Sequence, residues 1–359
     1  MKVHIIYTNF LNDDERTYSV GGVQTYILNL AEVLKQNNFE VIIHQSSNHD
    51  FVVSFEYGNV FAYKNNFLKE SERNIKENEL VIYGTDTYAI NKRPGPTISI
   101  QHGIYWDKPM PVIGQFTKWR RKIKDYYQII SRIKRVDTLV CVDYNFVNWY
   151  RALVNNPEVR LAVIPNFCDI PESKPEKSKN ISIIFARRFF EYRGTRLFAS
   201  VVKRLLESYP EIQVTIAGEG PDEKYLKTEL DQYKQVAFTK YAAKDSFELH
   251  KDKHIAVVPT LGSEGTSLSL LEAMSAGCCP VCTNVGGMTN IIIDHFNGLM
   301  VNPAEDEFFN AIKRLIENSA LRTEMAANAF LTVKSGFNKR LWAERWISVV
   351  NEVLNRYSS

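Results

Sequence analysis

Short apolar runs alternate with longer amphipathic stretches along the whole chain, a rhythm that restricts it to βα units around parallel sheets. The fold class is α/β. Residues 3–8 read as the first strand, and Gly21-Gly22 then leads into a helical stretch over 23–36. Tyr26, Ile27, Leu30, Ala31 and Leu34 recur on one face of that helix. Further strands are predicted at 40–44, 80–83, 97–101 and 138–142, forming a first sheet. A second series at 181–186, 213–217, 236–239, 254–259 and 280–283 forms another. A Lys-, Pro- and Ser-rich stretch over 171–180 has the composition of a linker between them.

At 359 residues the chain has room for two such domains, expected at 1–168 and 169–339. Beyond them, Leu341, Trp342, Trp346, Val349, Val350, Val353 and Leu354 recur at helical spacing and predict a closing helix over 340–357. No repeat of 20 to 50 residues supports a solenoid or propeller. Hydrophobic residues at 45% and charged residues at 24% exclude collagen-like, disordered and coiled-coil classes. With 44 Lys and Arg against 41 Asp and Glu, net charge gives no argument for a nucleic-acid partner. Cys141, Cys168, Cys278, Cys279 and Cys282 are an odd set and argue against a disulfide framework. A reducing, cytoplasmic setting is expected. The start of the chain lacks a signal-peptide core, and no apolar run is long enough to cross a bilayer.

The most informative segment runs from Gly262 to Met274, where a loop after a strand gives way to a helix. Thr266 or Ser267 can cap that helix, and the amides that follow form an anion site at the positive end of its dipole. Glu264 and Glu272 are eight residues apart, which places them roughly 12 Å apart on a largely helical path. That separation can straddle a diphosphate. A helix start with one loop Glu and one solvated or salt-bridged helical Glu fits the same spacing.

These residues resemble the retaining glycosyltransferases of the GT-B fold, the family 4-like group 1 enzymes that share a Glu-x7-Glu motif and act on nucleotide sugars. The likeness continues through Ala276-Gly277-Cys278-Cys279-Pro280-Val281, Gly286-Gly287 and Asn297-Gly298-Leu299-Met300-Val301. It implies two Rossmann-like domains facing a cleft, with the helix of 340–359 returning to the first. It also implies that Glu264 contacts the donor sugar near the reacting carbon and that Glu272 holds the ribose hydroxyls. The segment from Phe185 to Gly194 resembles the family's Gly-Arg-Leu and Lys-Gly elements. Arg188 falls on the family's Arg, Arg193 stands for its Lys, and Arg187 replaces a Gly. Guanidiniums at a strand end suit a departing diphosphate, whose charge grows as the glycosidic bond breaks. A solvated basic turn is the plainer alternative.

In the first half, Gly21-Gly22 matches the family's N-terminal glycine loop but lacks the full dinucleotide fingerprint. His102 follows a predicted strand, where α/β sites gather, and resembles the family's His near the donor sugar. A hydrogen-bonded structural histidine would look the same. Cys279 and Cys282 have C-x-x-C spacing on an apolar strand without a second pair, so neither zinc nor redox chemistry is expected. No metal and no cofactor is implied. Asn290 stands where the family often has Glu.

Residues 116–135 hold eight cations (Lys118, Arg120, Arg121, Lys122, Lys124, Arg132, Lys134 and Arg135) against one anion, Asp125. Phe116, Trp119, Ile123, Tyr126, Ile130 and Ile133 recur three or four residues apart. The pattern fits a basic amphipathic helix at an anionic membrane or a lipid-diphosphate acceptor, and equally a helix packed on its own domain.

The function this predicts is transfer of a hexose-type sugar from a nucleoside diphosphate sugar to an acceptor hydroxyl, in polysaccharide or lipid-linked glycan assembly. Glu264 and His102 would act at the reacting centre. Gly21, Gly22, Arg188, Arg193, Gly265, Thr266, Ser267, Leu268 and Glu272 would hold the donor. Expected partners are the nucleotide sugar, a glycan or lipid-linked acceptor and an anionic membrane surface on the cytoplasmic side, with no nucleic acid. A nucleotide-sugar epimerase and a non-catalytic sugar-nucleotide-binding subunit are the alternatives.

Overall fold

The computed structural model describes residues 1–19, 21–103, 115–154, 159–262 and 264–357; the side chains of residues 115, 116, 118 and 243 lie outside that description. Contacts divide the chain into two units. One draws on Met1–His102, Val112–Pro165 and Arg340–Ser359, the other on Gly103–Pro111 and Asn166–Lys339.

The first unit contains β1 (Lys2–Ile6), α1 (Gly22–Gln36), β2 (Glu40–Ser46), β3 (Phe51–Phe55), β4 (Gly58–Tyr63), α2 (Phe67–Arg73) and β5 (Leu80–Tyr83). It continues through β6 (Thr97–Gln101), α3 (Gln115–Ile133), β7 (Thr138–Cys141), α4 (Tyr144–Leu153) and β8 (Arg160–Val163). The sheet order is β3-β4-β2-β1-β5-β6-β7-β8, with only the β3–β4 pair antiparallel. β1 lies at its centre, flanked by β2 and β5, so its apolar residues are buried on both faces. Helix α1 buries Tyr26, Ile27, Leu30, Ala31, Val33 and Leu34.

The second unit contains β9 (Ser182–Ala186), α5 (Thr195–Ser208), β10 (Gln213–Ala217), α6 (Glu223–Leu230), β11 (Val236–Thr239) and α7 (Ser246–His250). Then come β12 (Ile255–Val258), α8 (Leu268–Ser275), β13 (Cys279–Thr283), β14 (Leu299–Val301), α9 (Glu305–Glu317) and α10 (Ser319–Gly336). Its sheet is wholly parallel in the order β11-β10-β9-β12-β13-β14. One face buries Phe185, Phe198, Val202, Ile216 and Phe308 under α5 and α9, and the other buries Val258, Leu270, Leu271, Met288 and Val333 under α8 and α10.

The closing helix, α11 (Lys339–Asn355), contributes to the first unit from Arg340 onward. Its buried Trp342 and Trp346 meet Tyr26 edge-on, at centroid distances of 5.2 and 6.1 Å. Trp346 Nε1 donates to Tyr26 Oη at 2.8 Å, closing a polar bond inside an apolar contact.

Four strands escaped the sequence reading, namely β3, β4, β8 and β14. β3 is an edge strand with alternating partial exposure, and β14 is only three residues long, so neither gives a sustained apolar run. All five cysteines are free and buried. Cys279 packs in the α5 side of the sheet and Cys282 in the α8 side, because an offset of three along a strand reverses the face. Among the described residues, no helix is long and apolar enough to cross a membrane.

Candidate active site

From β9 the second sheet grows one way through β10 and the other way through β12, so the β9–β12 boundary is its topological switch point. Ligands of open α/β sheets gather at the C-terminal ends of strands there. The loops after β9 and β12 carry Arg187–Gly194 and Pro259–Ser267, and they are tied together by backbone. Leu261 N donates to Tyr192 O at 2.8 Å. Gly194 is at φ 83°, and a Cβ on it would come 1.9 Å from Pro259 O, so the turn after Arg193 requires glycine. Gly286 (φ 59°) and Gly287 brace the second loop. Cβ atoms there would lie 2.4 Å from Glu264 O and 2.2 Å from Gly265 O, while Gly287 N donates to Glu264 O at 3.0 Å.

On this frame the Glu264 carboxylate is half-buried between two arginines. Arg187 Nη2 donates to Glu264 Oε2 at 2.8 Å, and Arg193 Nη1 pairs with the same oxygen. Thr260 Oγ1 also donates to Oε2 at 3.1 Å while accepting from Arg187 Nη1 at 2.6 Å. Burial pulls both guanidiniums down to about 10, still well above neutrality, so both are charged at pH 7. Two cations and one carboxylate leave a net positive cluster at the strand ends.

Helix α8 begins four residues after Glu264. Ser267 is its N-cap residue, but its side chain makes no cap hydrogen bond, and Ser267 Oγ instead meets Ser269 Oγ at 3.3 Å. The loop is held from behind by Asn166 Nδ2, which donates to Thr266 O at 2.8 Å. Gly265 and Leu268 are half-buried at this helix start, and Thr266 and Ser267 are buried. Glu272, one turn further in, accepts from Ser246 Oγ at 2.7 Å. Burial pushes its carboxyl up to about 7 against that hydrogen bond.

The Glu-x7-Glu spacing therefore does not run along one helix. Half of the path is loop, and the two carboxylates face different partners, Glu264 the arginines and Glu272 the start of α7. The arginine assignment also shifts. Arg188 is exposed, with its guanidinium 5.5 Å from the Phe190 ring, whereas Arg187 is only 7% exposed and reaches Glu264. Arg187, Thr260, Ser246 and Asn166 were missed as site residues. The only signal for them was a cation in place of a small residue at 187, and the contacts that gather them, 26 residues apart for Ser246 with Glu272, 73 for Arg187 with Thr260 and 100 for Asn166 with Thr266, leave no local pattern.

Gly21, Gly22 and His102 belong to the first unit. Gly21 is extended at φ 170°, and a Cβ there would meet only the flexible Gln24 side chain, so no backbone strain demands glycine. His102 Nε2 donates to Gly84 O at 2.8 Å, and its ring meets Tyr26 edge-on at 5.2 Å. Burial lowers His102 to about 4, so it is neutral at pH 7 with Nδ1 as its acceptor nitrogen. Asn290 is exposed in the turn after Gly286-Gly287. Among the described residues, no three His, Cys, Asp or Glu side chains are grouped to hold a metal ion.

Residues 167–332, spanning these loops and α8, match the family described as Glycosyl transferases group 1. The match covers a little under half of the chain. The chain is 27% identical over 198 residues to the phosphatidylinositol N-acetylglucosaminyltransferase gpi3 subunit of Schizosaccharomyces pombe, across 50% of this chain and 41% of that protein. It thus spans less than half of that relative's length. It is 22% identical over 361 residues to the phosphatidyl-myo-inositol mannosyltransferase of Mycolicibacterium smegmatis, across 94% of this chain and 90% of that one. Among solved structures, sucrose-phosphate synthase of Thermosynechococcus elongatus aligns with a TM-score of 0.79 at 15% identity, covering 99% of both chains. Anabaena HepE in complex with UDP-glucose aligns at 0.74 and 14%, covering 98% of this chain and all of that one. These structural likenesses establish the GT-B fold.

Proposed function

We propose that the chain moves a sugar from a nucleoside diphosphate sugar to a hydroxyl of a glycan or lipid-linked acceptor, retaining the anomeric configuration and using no metal ion. The observation that carries this reading is the buried pairing of two arginines with one carboxylate beside the start of α8. The excess positive charge and the positive end of the helix dipole suit a diphosphate that becomes more negative as its bond to the sugar breaks. In this reading the second unit holds the donor, with Glu264 orienting the sugar and Glu272 the ribose. The acceptor oxygen bonds to the anomeric carbon as the bond to the diphosphate oxygen breaks on the same face, and that departing oxygen takes the acceptor proton. In the first unit, neutral His102, with Nδ1 as its acceptor nitrogen, is the candidate for a hydrogen bond from a sugar hydroxyl. The inositol-lipid transferases among the relatives favour a lipid or lipid-linked acceptor, and UDP-glucose in the HepE complex favours a nucleotide sugar donor.

A surface feature favours work at a bilayer. Trp119 is 60% and Tyr127 67% exposed on α3, beside exposed Arg120, Arg121, Lys122 and Lys124. Aromatic rings interleaved with cations suit the headgroup region of an anionic membrane. Phe116 and Lys118, the other residues of that pattern toward the helix start, lie outside the described side chains.

The experiment is mass spectrometry after incubation with a panel of nucleotide sugars, with and without glycan and lipid acceptors. Release of nucleoside diphosphate with a new glycoside, or slow donor hydrolysis alone, is the expected result. An epimerised donor without nucleotide release would replace this reading with an epimerase, and nucleotide binding without turnover with an accessory subunit.

A further inference from the structure

We infer that Arg187 is a positioning residue that locks one oxygen of Glu264, so that the other oxygen is presented to the donor sugar and Arg193 is left available for the diphosphate. This rests on the transferase reading above and adds a division of labour between two arginines that charge alone would treat as equivalent.

The geometry separates them. Arg187, Arg193 and Thr260 all converge on Glu264 Oε2, and none of the three meets Oε1. Arg187 spans Thr260 and Glu264 with its two terminal nitrogens, a planar fork that fixes the carboxylate's rotation as well as its charge. Thr260 is itself fixed, being fully buried with its carbonyl accepting from Thr283 Oγ1 at 2.6 Å. The backbone of Arg187 is equally constrained. Its N donates to Ala217 O at 2.9 Å, and its carbonyl packs so closely on Gly218 that a Cβ there would come within 2.1 Å.

Arg193 is placed differently. It sits in a single turn of 3-10 helix, Glu191–Arg193, and its side chain is 16% exposed against 6% for Arg187. When Arg193 turns to a bound diphosphate, a buried carboxylate with no second cation would be left uncompensated. Arg187 remains as that second cation.

The test compares Arg187→Ala, Arg187→Lys and Arg193→Ala, each alone and in a Glu264→Gln background. Calorimetry with a nucleoside diphosphate and steady-state turnover are the readouts. Arg187→Ala is expected to lower kcat roughly 10- to 100-fold, the scale of a misplaced reacting group, with nucleotide affinity within about twofold of the parent. Arg193→Ala should, besides lowering turnover, weaken the nucleotide about tenfold or more. Arg187→Lys, which can make one of the two contacts, should recover part of kcat. In the Glu264→Gln background, Arg187→Ala should cost less than about twofold further, because the charge that it holds in place is already gone. Equal losses of nucleotide affinity in the two Arg→Ala variants would make Arg187 a diphosphate ligand and overturn the inference. An undiminished kcat penalty in the Glu264→Gln background would make it merely structural and overturn it too. Failure of the transferase reading is seen separately, as absence of nucleotide binding and turnover in the unmutated protein.

Discussion

His4 Nδ1 and His44 Nε2 lie 2.9 Å apart inside the first sheet, in a hydrogen-bonded chain that runs from Glu79 to Tyr63. The Glu79 carboxylate, 3.1 Å from His4 Nε2, can only accept, so His4 donates there and, being neutral, accepts at Nδ1 from His44. His44 Nδ1 then accepts from Tyr63 Oη at 3.0 Å. With both rings neutral, every partner in the chain is satisfied. Burial accordingly lowers His4 and takes His44 down to about 3.

The first prediction follows from that depression. Between about 3 and the ordinary histidine value, the unfolded chain binds more protons at His44 than the folded one, so stability falls as pH falls through that window. Each pH unit removes about 1.4 kcal/mol per such histidine. Melting temperature should drop steadily from pH 6.5 to 4, and His44→Gln should flatten the slope while costing stability at pH 7. Parallel slopes for the two proteins would rule out this histidine pair as a source.

Arg193→Ala is expected to reduce turnover by about 10² to 10³, the usual cost of one lost electrostatic contact to a developing charge. Arg188→Ala should cost far less, because its side chain is exposed against Phe190 rather than gathered on Glu264. Turnover measured beside thermal melting checks both. A larger loss at 188 than at 193 would restore the assignment that sequence alone suggests.

Glu272, raised to about 7, should make donor affinity depend on pH. A carboxylate that accepts from ribose hydroxyls must be ionised, so affinity for a nucleotide sugar should fall as pH drops from 8 to 6. Glu272→Gln should bind more weakly at pH 8 and lose that dependence. Calorimetry at three pH values decides the matter, and a profile unchanged by the substitution would remove Glu272 from the ribose.

Gly287→Ala should impair turnover more than folding. Its new methyl would meet Gly265 O at 2.2 Å and push the loop that carries Glu264. A stability loss of about 1 to 3 kcal/mol, typical of local strain, with a turnover loss of tenfold or more is expected. Normal kinetics would mean that the loop yields without moving the carboxylate.

How much of this was readable in the sequence differs by element. The α/β class, the strand before Glu264 and the helix after it were legible because β12 and α8 are sustained local patterns. The division between Arg187 and Arg188 was not. Adjacent residues at a strand end point to opposite sides, and only the twist of the chain into the turn decides which one faces Glu264. Ser246 was invisible for another reason: its partner lies 26 residues away, and serine has no compositional signature. Edge strand β3 was missed because alternating exposure at one side of a sheet leaves no long apolar run.

Replacing Arg120, Arg121, Lys122 and Lys124 together by Gln should reduce sedimentation with phosphatidylserine-containing vesicles while leaving donor hydrolysis intact. Each cation near such a surface contributes about 1 kcal/mol, and added salt should mimic the loss. Vesicle binding that survives the change at low salt would return α3 to a helix with a solvated basic face.

The five cysteines bear on how such questions can be asked. All are buried, and burial raises every one of their thiols, Cys168 and Cys279 to about 12. Alkylating reagents attack the thiolate, so the folded chain should be nearly silent toward them. A single cysteine placed at exposed Lys124 would then be the one reactive sulfur, and a fluorophore attached there would report on its surroundings without any native thiol having to be removed.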